Sequence, residues 1–253
     1  MKLNFKKIGK GKPLLILHGL FGSSDNWGSL GKKFAENNLV YLVDLRNHGR
    51  SPYSKEMSYD LMADDLLELI EDENINSPII LGHSMGGKAA LLFAEKYPKY
   101  LEKLIVADIG IKAYPMHHDE ILKGLNSVKL HEISSRNQAQ QSIQSHIENL
   151  GIQQFLLKNL YWIEKGKLAW RMNLKVIEKN IGEILVKIKV QKNSVSTLFV
   201  RGEMSNYILE DDFQNILESF PNGAIKTIPK VGHWLHAENP TEFYKIVREF
   251  INC

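Results

Sequence analysis

The chain has almost no cysteine, because Cys253 stands alone among its 253 residues. A single thiol cannot form an intrachain disulfide, and it cannot supply the several thiolates of a structural zinc site. Long apolar runs are also missing: the N-terminal stretch MKLNFKKIGKGKPLLILHG holds a run of only about five apolar residues, too short for a signal-peptide core or a membrane span. These absences predict a cytoplasmic protein without a membrane partner.

Charge of one sign is not in large excess either. The 32 basic and 29 acidic side chains give a formal net charge of +3, and 43% of the residues are hydrophobic. A globular chain with a sizeable core is therefore expected, rather than a disordered one. The lysines cluster without interleaved aromatic residues, which indicates a solvated face and no nucleic-acid partner. The clustered lysines are Lys6, Lys7, Lys10, Lys12, Lys187, Lys189 and Lys192.

From residue 13 to residue 110, short apolar runs alternate with helical patterns. The runs PLLILHG, NLVYLVDL, SPIILGHS and LEKLIVADIG are almost unbroken in apolar residues, which is typical of parallel strands buried on both faces. Helical patterns follow two of these runs, at about residues 58–73 and 85–97. The sequence therefore predicts an α/β fold with a mostly parallel sheet flanked by helices.

The pattern changes between residues 111 and 190. Strand signals vanish there, and leucines at helical spacing appear in polar segments. The alternation of strand and helix patterns then resumes. It consists of the runs VSTLFVRGE and GAIKTIPKVGH, a helix near residues 209–220 and a closing helix from Pro240. We predict a core of residues 1–110 and 191–253, interrupted after about the sixth strand by an all-helical cap of residues 111–190 over the carboxyl ends of the strands, where open α/β sheets bind ligands.

The pentapeptide Gly82-His83-Ser84-Met85-Gly86 lies between the apolar run PIIL and the helical run GGKAALLFAEKY. A serine in a sharp strand-to-helix turn adopts strained dihedral angles, and small residues two positions away on each side let strand and helix approach. Such a turn lifts the hydroxyl above the sheet edge, at the positive end of the following helix. The flanking strand and helix therefore favour a functional serine over a structural glycine turn.

A second turn, HGLFGS, follows the strand pattern LLIL. It can aim the backbone N–H of Leu20, or that of Phe21, at the point toward which the N–H of Met85 is directed. Two such donors would stabilise a developing oxyanion.

Nine histidines are candidates for a general base. His233 follows the last strand pattern and precedes the last helix, which places it on a loop at the ligand-binding edge of the sheet. We expect His18 and His83 to be structural hydrogen-bonding groups and His236 to turn toward the start of the last helix. The stretch HHDE at residues 117–120 has no third cluster at ligand spacing, so it indicates a solvated loop rather than a metal site.

In this order and at these separations, HGLFGS, DLRNHGRS, GHSMGGKAA and VGHWLHAENP resemble the α/β-hydrolase superfamily over essentially the whole chain. Within the insertion, SRNQA, QFLLKNL and WRMNL are similar to the cap of the small bacterial esterases that resemble the mitochondrial abhydrolase-domain-11 proteins. The resemblance implies a serine hydrolase of carboxylic esters or acyl thioesters, with Ser84 as nucleophile and His233 as base by motif position. Leu20 and Met85 would then form the oxyanion hole, and no cofactor or metal is needed.

The acid of the triad is missing from the place where many relatives carry it, in a Gly-x-x-Asp pattern after the penultimate strand. Here that stretch reads GEMS. A histidine needs a carboxylate to fix its tautomer, so we predict Asp108, at the end of LIVADIG, as the acid. The Ser205 hydroxyl is the expected auxiliary hydrogen-bonding group. Glu203 stays the alternative acid, while Asp211 and Asp212 are expected to begin a helix.

Two other functions remain open at this stage. Related scaffolds use the same triad in lyases and in carbon–carbon bond hydrolases, and some hydrolase-like chains are ligand receptors without turnover. For a hydrolase, Phe155, Leu156, Tyr161 and Trp162 of the insertion are predicted to set acyl specificity, and the alternative for any one of them is a place in the core of the insertion itself.

Overall fold

The computed structural model describes residues 1–253 and contains nine strands. They are β1 (Phe5–Gly9), β2 (Lys12–Leu17), β3 (Asn38–Val43), β4 (Ile79–His83), β5 (Lys103–Ala107), β6 (Leu160–Glu164), β7 (Lys167–Trp170), β8 (Ser196–Gly202) and β9 (Gly223–Ile228). Seven of them form one sheet in the order β1-β3-β2-β4-β5-β8-β9, and β6 and β7 form a separate hairpin. All neighbours in the large sheet are parallel except the pair of β1 and β3.

Eleven α-helices accompany the strands. They are α1 (Gly28–Phe34), α2 (Tyr59–Asp72), α3 (Met85–Lys96), α4 (Asp119–Ser127), α5 (Arg136–Gln144), α6 (Leu150–Leu157), α7 (Leu174–Lys179), α8 (Ile181–Ile184), α9 (Phe213–Ser219), α10 (Leu235–Glu238) and α11 (Pro240–Asn252). None of them combines the length and the apolar character that crossing a membrane requires.

The sheet is buried on both faces, as its unbroken apolar runs predicted. In β2, Leu15 and Leu17 belong to the apolar layer that contains α2 and α3, whereas Leu14 and Ile16 belong to the layer that contains α1 and α11. Alternate side chains of a strand point to opposite faces, so a strand covered on both sides needs apolar residues at every position. This confirms the α/β fold with a mostly parallel sheet flanked by helices.

Two details of the sheet differ from the sequence prediction. The edge strand β1 was not predicted, because its sequence FKKIG carries two adjacent lysines and is mostly half-buried or exposed. Only five strands precede the insertion, not six.

The insertion between β5 and β8 contains helices α4 to α8, as predicted, but it is not all-helical. The stretch LYWIEKGKLAW forms the β6–β7 hairpin, with Gly166 at φ +82° in its turn. Aromatic and β-branched residues favour strands, and glycine accepts the positive φ of a tight turn. The apolar side chains of the insertion join the same cluster as those of α2 and α3, so it has no separate core.

Polar residues from two of the insertion's motifs bind the loops after β2 and β3, and one from the third motif binds within the insertion. Asn159, from QFLLKNL, donates from Nδ2 to the backbone carbonyl of Phe21 at 2.6 Å. Asn173, from WRMNL, donates from Nδ2 to Asn47 Oδ1 at 3.1 Å. Arg136, from SRNQA, donates to carbonyls at the end of α6 and the start of β6 within the insertion. These three polar residues therefore secure the insertion and make no hydrogen bond to the predicted catalytic residues.

Both ends of the insertion are tied to α3 by a buried lysine. The Lys88 ammonium donates to the carbonyl of Lys112 at 2.8 Å and to the carbonyl of Val186, near the two ends. The two ends also bind each other, since the Ile188 N–H donates to the Ile111 carbonyl at 2.8 Å. Lys88 is completely buried, and burial lowers its pKa to about 8.

The turn from β4 into α3 contains a strained residue, Ser84, at φ +52° and ψ −118°. Few non-glycine residues adopt such angles, which persist only when surrounding packing enforces them. That packing is close: a Cβ on Gly86 would lie 2.6 Å from the His18 carbonyl oxygen and 2.7 Å from that of Leu17. The first turn of α3 therefore touches the end of β2 at the level of the backbone.

Gly86→Ala is expected to lower the free energy of unfolding by about 1–3 kcal/mol or more, because the new methyl group meets immobile backbone. Gly182→Ala, in α8, is the matched control: no atom lies within 4 Å of its would-be Cβ. Its stability should stay unchanged or rise by up to about 1 kcal/mol. Urea unfolding measures both, and equal losses in the two variants would contradict this account of the turn.

Candidate active site

Three strand ends bring Ser84, Asp108 and His233 together. Ser84 follows β4, Asp108 follows β5, and His233 lies on the loop after β9. His233 Nε2 is 3.0 Å from Ser84 Oγ, and His233 Nδ1 is 2.8 Å from Asp108 Oδ2. The carboxylate accepts from Nδ1–H, which leaves Nε2 free to accept the serine proton. The three predicted residues thus form one continuous hydrogen-bonded series.

The Asp108 carboxylate is completely buried and has three donors. Besides His233, the Gly202 N–H donates to Oδ1 at 2.9 Å, and the Ser205 hydroxyl donates to Oδ2. Buried charges need such hydrogen bonds. Asp108 itself sits at φ +51°, a second strained position at a strand end. Ser205, from the stretch GEMS, therefore contacts the predicted acid directly.

The alternative carboxylates lie elsewhere. Glu203 is exposed and accepts from the backbone N–H of Lys230 at 2.9 Å. Asp211 and Asp212 lie in the 3-10 turn Glu210–Asp212 that precedes α9. None of them contacts His233, so the geometry favours Asp108, whose catalytic role stays a prediction.

Among the backbone N–H groups near Ser84, those of Leu20 and Met85 have no acceptor within the chain. Both residues are buried. The N–H of Phe21, the other donor considered from the sequence, is already taken, since it donates to His48 Nε2 at 3.3 Å. Burial lowers the pKa of His48 to about 3, so its neutral imidazole keeps that acceptor. The Leu20 N–H is therefore free to donate to an oxyanion and the Phe21 N–H is not, a distinction that the sequence could not make.

The motif DLRNHGRS supports the turn that carries Leu20. Asp44 is completely buried and accepts from the backbone N–H groups of Ser24 at 2.6 Å and Arg50 at 2.9 Å. His18 accepts at Nε2 from the backbone N–H of Leu45 at 3.0 Å. His18 is therefore a structural hydrogen-bonding group, and this buried network fixes the loop on the donor side of the site.

His83 and His236 pack behind the predicted base. His83 Nε2–H donates to the backbone carbonyl of His233 at 2.9 Å, which fixes the loop of the base. His236 stacks on Trp27, with ring centroids 4.3 Å apart, and also packs edge-on against Phe243 near the start of α11, with centroids 6.2 Å apart. Burial lowers the pKa of His236 to about 3 and that of His83 well below its usual range. Both rings are therefore neutral packing partners.

A cavity of about 160 Å³, which we call the outer cavity, opens in front of Ser84 and His233. Sequence reasoning missed three of its lining side chains, Tyr207, His117 and His118. The Tyr207 ring stacks on His233 at 4.0 Å between centroids, and its hydroxyl is 2.5 Å from His117 Nε2. Burial raises the pKa of Tyr207 to about 12, so its phenol donates to that nitrogen.

The HHDE stretch is therefore only partly the solvated loop that its sequence indicated. His117 is exposed, but His118 is half-buried, and its Nδ1 is enclosed without a hydrogen-bond partner. Burial lowers the pKa of His118 to about 3. The signal in the sequence was weak, because two adjacent histidines beside acidic residues are equally compatible with an exposed loop.

Of the four insertion residues predicted to set specificity, only Phe155 lines the outer cavity. Leu156 is buried in the shared apolar core. Tyr161 packs against the guanidinium of Arg171, 4.3 Å from its ring centroid, and Trp162 is 45% exposed on the hairpin. Helical spacing did not separate them, because Tyr161 and Trp162 are in a strand.

Known proteins match the chain in sequence and in structure. Residues 12–131 match the family described as alpha/beta hydrolase fold. Esterase YbfF of Escherichia coli (strain K12) is 33% identical over 258 residues, which cover 100% of each chain. The sn-1-specific diacylglycerol lipase ABHD11 of Mus musculus is 35% identical over 94% of this chain and 80% of its own. A solved structure titled marine microorganism esterase matches with a TM-score of 0.95 and 42% identity, over 98% of this chain and 99% of its own.

The chain therefore belongs to the α/β-hydrolase family, as its motifs suggested. Its similarity to these relatives extends over nearly the whole chain, insertion included. They place it among the carboxylesterase-type hydrolases of that family.

Asp108→Asn is expected to lower kcat by about 10²- to 10⁴-fold while the fold persists, because an amide cannot fix the histidine tautomer or stabilise the imidazolium. Glu203→Gln is the control and should stay near wild type, since Glu203 only accepts from a backbone N–H at the surface. Steady-state ester hydrolysis and circular dichroism measure both. The assignment is wrong if Glu203→Gln produces the large loss and Asp108→Asn does not.

Proposed function

We propose that this chain hydrolyses carboxylic esters or acyl thioesters through an acyl-enzyme intermediate. The observation that carries the proposal is the series Asp108, His233 and Ser84, with successive distances of 2.8 and 3.0 Å. It ends on a hydroxyl at the carboxyl edge of a parallel sheet, where open α/β sheets bind ligands. Nucleophile, base and orienting carboxylate in this arrangement are the parts that acyl transfer requires.

In the proposed reaction, His233 carries each proton between Ser84, the leaving group and water. Ser84 Oγ attacks the carbonyl carbon and gives its proton to His233 Nε2. The tetrahedral intermediate then breaks the bond to the leaving oxygen or sulfur, which takes the same proton from His233. Water attacks the acyl-enzyme and passes a proton to His233, which returns it to Ser84 as the acid leaves. Throughout, the Asp108 carboxylate holds Nδ1–H and stabilises the imidazolium.

We assign the oxyanion hole to the N–H groups of Leu20 and Met85. The buried Leu20 N–H has no acceptor within the chain, which supports this assignment because buried N–H groups are normally paired, and the Met85 N–H is free because the first residues of a helix have no acceptor within it. Preorganised donors of this kind stabilise charge that develops in the transition state at no reorganisation cost. Met85 also begins α3, so its N–H lies at the positive end of the helix dipole.

We propose that residues 111–190 act as the cap of this site. Two contacts support it: Ile152 and Phe155 of α6 line the outer cavity, and Asn159 binds the carbonyl of Phe21 beside the oxyanion turn. A cap in this position excludes bulk water and shapes the space for the substrate.

Ser84→Ala is expected to lower turnover of p-nitrophenyl acetate by about 10⁴-fold or more with the fold intact, because the serine contributes chemistry rather than packing. Ser145→Ala, an exposed serine of the insertion, is the control and should retain wild-type rates. More than a tenth of wild-type activity in folded Ser84→Ala would overturn the assignment.

The time course of the same assay separates the hydrolase from the receptor and lyase alternatives. Sustained release of p-nitrophenol, with acetate formed in equal amount, is expected of a hydrolase. One stoichiometric burst would instead indicate a receptor that traps the acyl group. The absence of both in folded wild-type protein, across several acyl lengths, would leave the lyase or carbon–carbon hydrolase reading.

A further inference from the structure

Two cavities meet at Ser84, and they differ in size. The outer cavity has a volume of about 160 Å³ and contains His233. A second cavity, which we call the inner pocket, has a volume of about 20 Å³ and contains Met85 instead. Its mostly hydrophobic walls include Leu20, Tyr59, Ile109, Tyr114, Ile184 and Leu185.

The position of the base assigns the two halves of an ester to these cavities, provided that the proposed function holds. The leaving oxygen takes its proton from His233 Nε2, so the leaving group must lie on the side of His233, in the outer cavity. The carbonyl oxygen points at the N–H groups of Leu20 and Met85. The remaining substituent of the carbonyl carbon, the acyl chain, then extends toward the inner pocket, which those two residues also line.

The inner pocket has little room. A cavity needs about 10–15 Å³ to hold one water molecule, so about 20 Å³ accommodates one or two groups of that size. This fits the methyl group of an acetyl ester or the ethyl group of a propionyl ester. A longer chain would have to displace buried side chains, since Ile109, Ile184 and Leu185 are only 3%, 5% and 8% exposed.

The wall of the inner pocket is also fixed in place. The Tyr59 hydroxyl donates to the Ile184 carbonyl at 2.8 Å, and the Tyr114 N–H donates to the Leu185 carbonyl at 2.8 Å. The next carbonyl, that of Val186, accepts from the buried Lys88. Three consecutive carbonyls are thus held by buried or half-buried donors, so the backbone of this wall cannot move back without breaking hydrogen bonds.

The leaving-group side is roomier. Ile152, Phe155 and Trp234, which line the outer cavity, also line an adjoining groove of about 450 Å³ that contains Lys158 and Asn149. A bulky or polar alcohol can therefore extend from the outer cavity along this groove.

We propose that the substrates are esters in which a short acyl group, acetyl or propionyl, is joined to a larger alcohol. Acyl length is limited by the inner pocket, and the alcohol is held by the outer cavity and the adjoining groove.

The wild-type acyl series tests the proposal directly. p-Nitrophenyl acetate, propionate, butyrate, hexanoate and octanoate share one leaving group, so differences in kcat/KM report the acyl side. A misfitting methylene in an apolar pocket changes kcat/KM by about 10- to 200-fold, so we expect acetate and propionate to exceed hexanoate at least tenfold. Hexanoate and octanoate turnover equal to or faster than acetate, in protein whose activity depends on Ser84, would overturn the proposal and leave the proposed function standing.

Shortening the wall locates the limit. Leu185→Ala should raise the hexanoate-to-acetate ratio of kcat/KM at least about tenfold, because it opens the inner pocket. Leu168→Ala, in β7, removes another buried leucine that lines neither cavity, and it should leave that ratio unchanged. A shift of equal size in both variants would mean that loosened packing, not pocket size, sets the ratio. If neither variant folds, the wild-type series still decides.

Discussion

The contact between Asp108 and His233 joins the two parts of the sheet that the insertion separates in sequence. Asp108 ends β5, before the insertion, whereas His233 follows β9, the last strand. The carboxylate is completely buried, so it must be paired, and it takes donors from β8, from the loop after β8 and from the loop after β9. The order β4-β5-β8-β9 brings those strand ends side by side. The site can form because the chain rejoins the same sheet after the insertion, with β8 directly beside β5.

Neutral imidazoles form a second theme of the structure. His18, His48, His83 and His236 are buried, and burial lowers the pKa of each. Three of them accept or donate one hydrogen bond that places a backbone segment near the site. A protonated ring at any of these positions would repel the imidazolium that forms on His233 during the proposed reaction. Because the neighbouring imidazoles are neutral, they do not oppose the positive charge that forms on His233.

Features of the fold and the site that depend on a few neighbouring residues could be predicted from the sequence. The turn at Ser84 was predictable because the flanking glycines and the strand-to-helix change are adjacent in sequence. Asp108 could be proposed because the strand order of the fold alone places the end of its strand beside the strand of the nucleophile. The capture of the Phe21 N–H by His48, the stacking of Tyr207 on His233 and the lining role of His118 were not predictable, since each joins distant segments. The hairpin was missed because leucine spacing outweighed its β-branched and aromatic residues.

Lys88 has a consequence for how substrates reach the serine. It holds carbonyls near both ends of the insertion against the helix that begins one residue after Ser84, and the two ends also bind each other. Because both of its ends are held in this way, the insertion cannot open as a lid that rotates about a hinge at one end. Substrates must then reach the serine through the open side of the outer cavity, where the contacting rings of Phe155 and Trp234 line both that cavity and the adjoining groove.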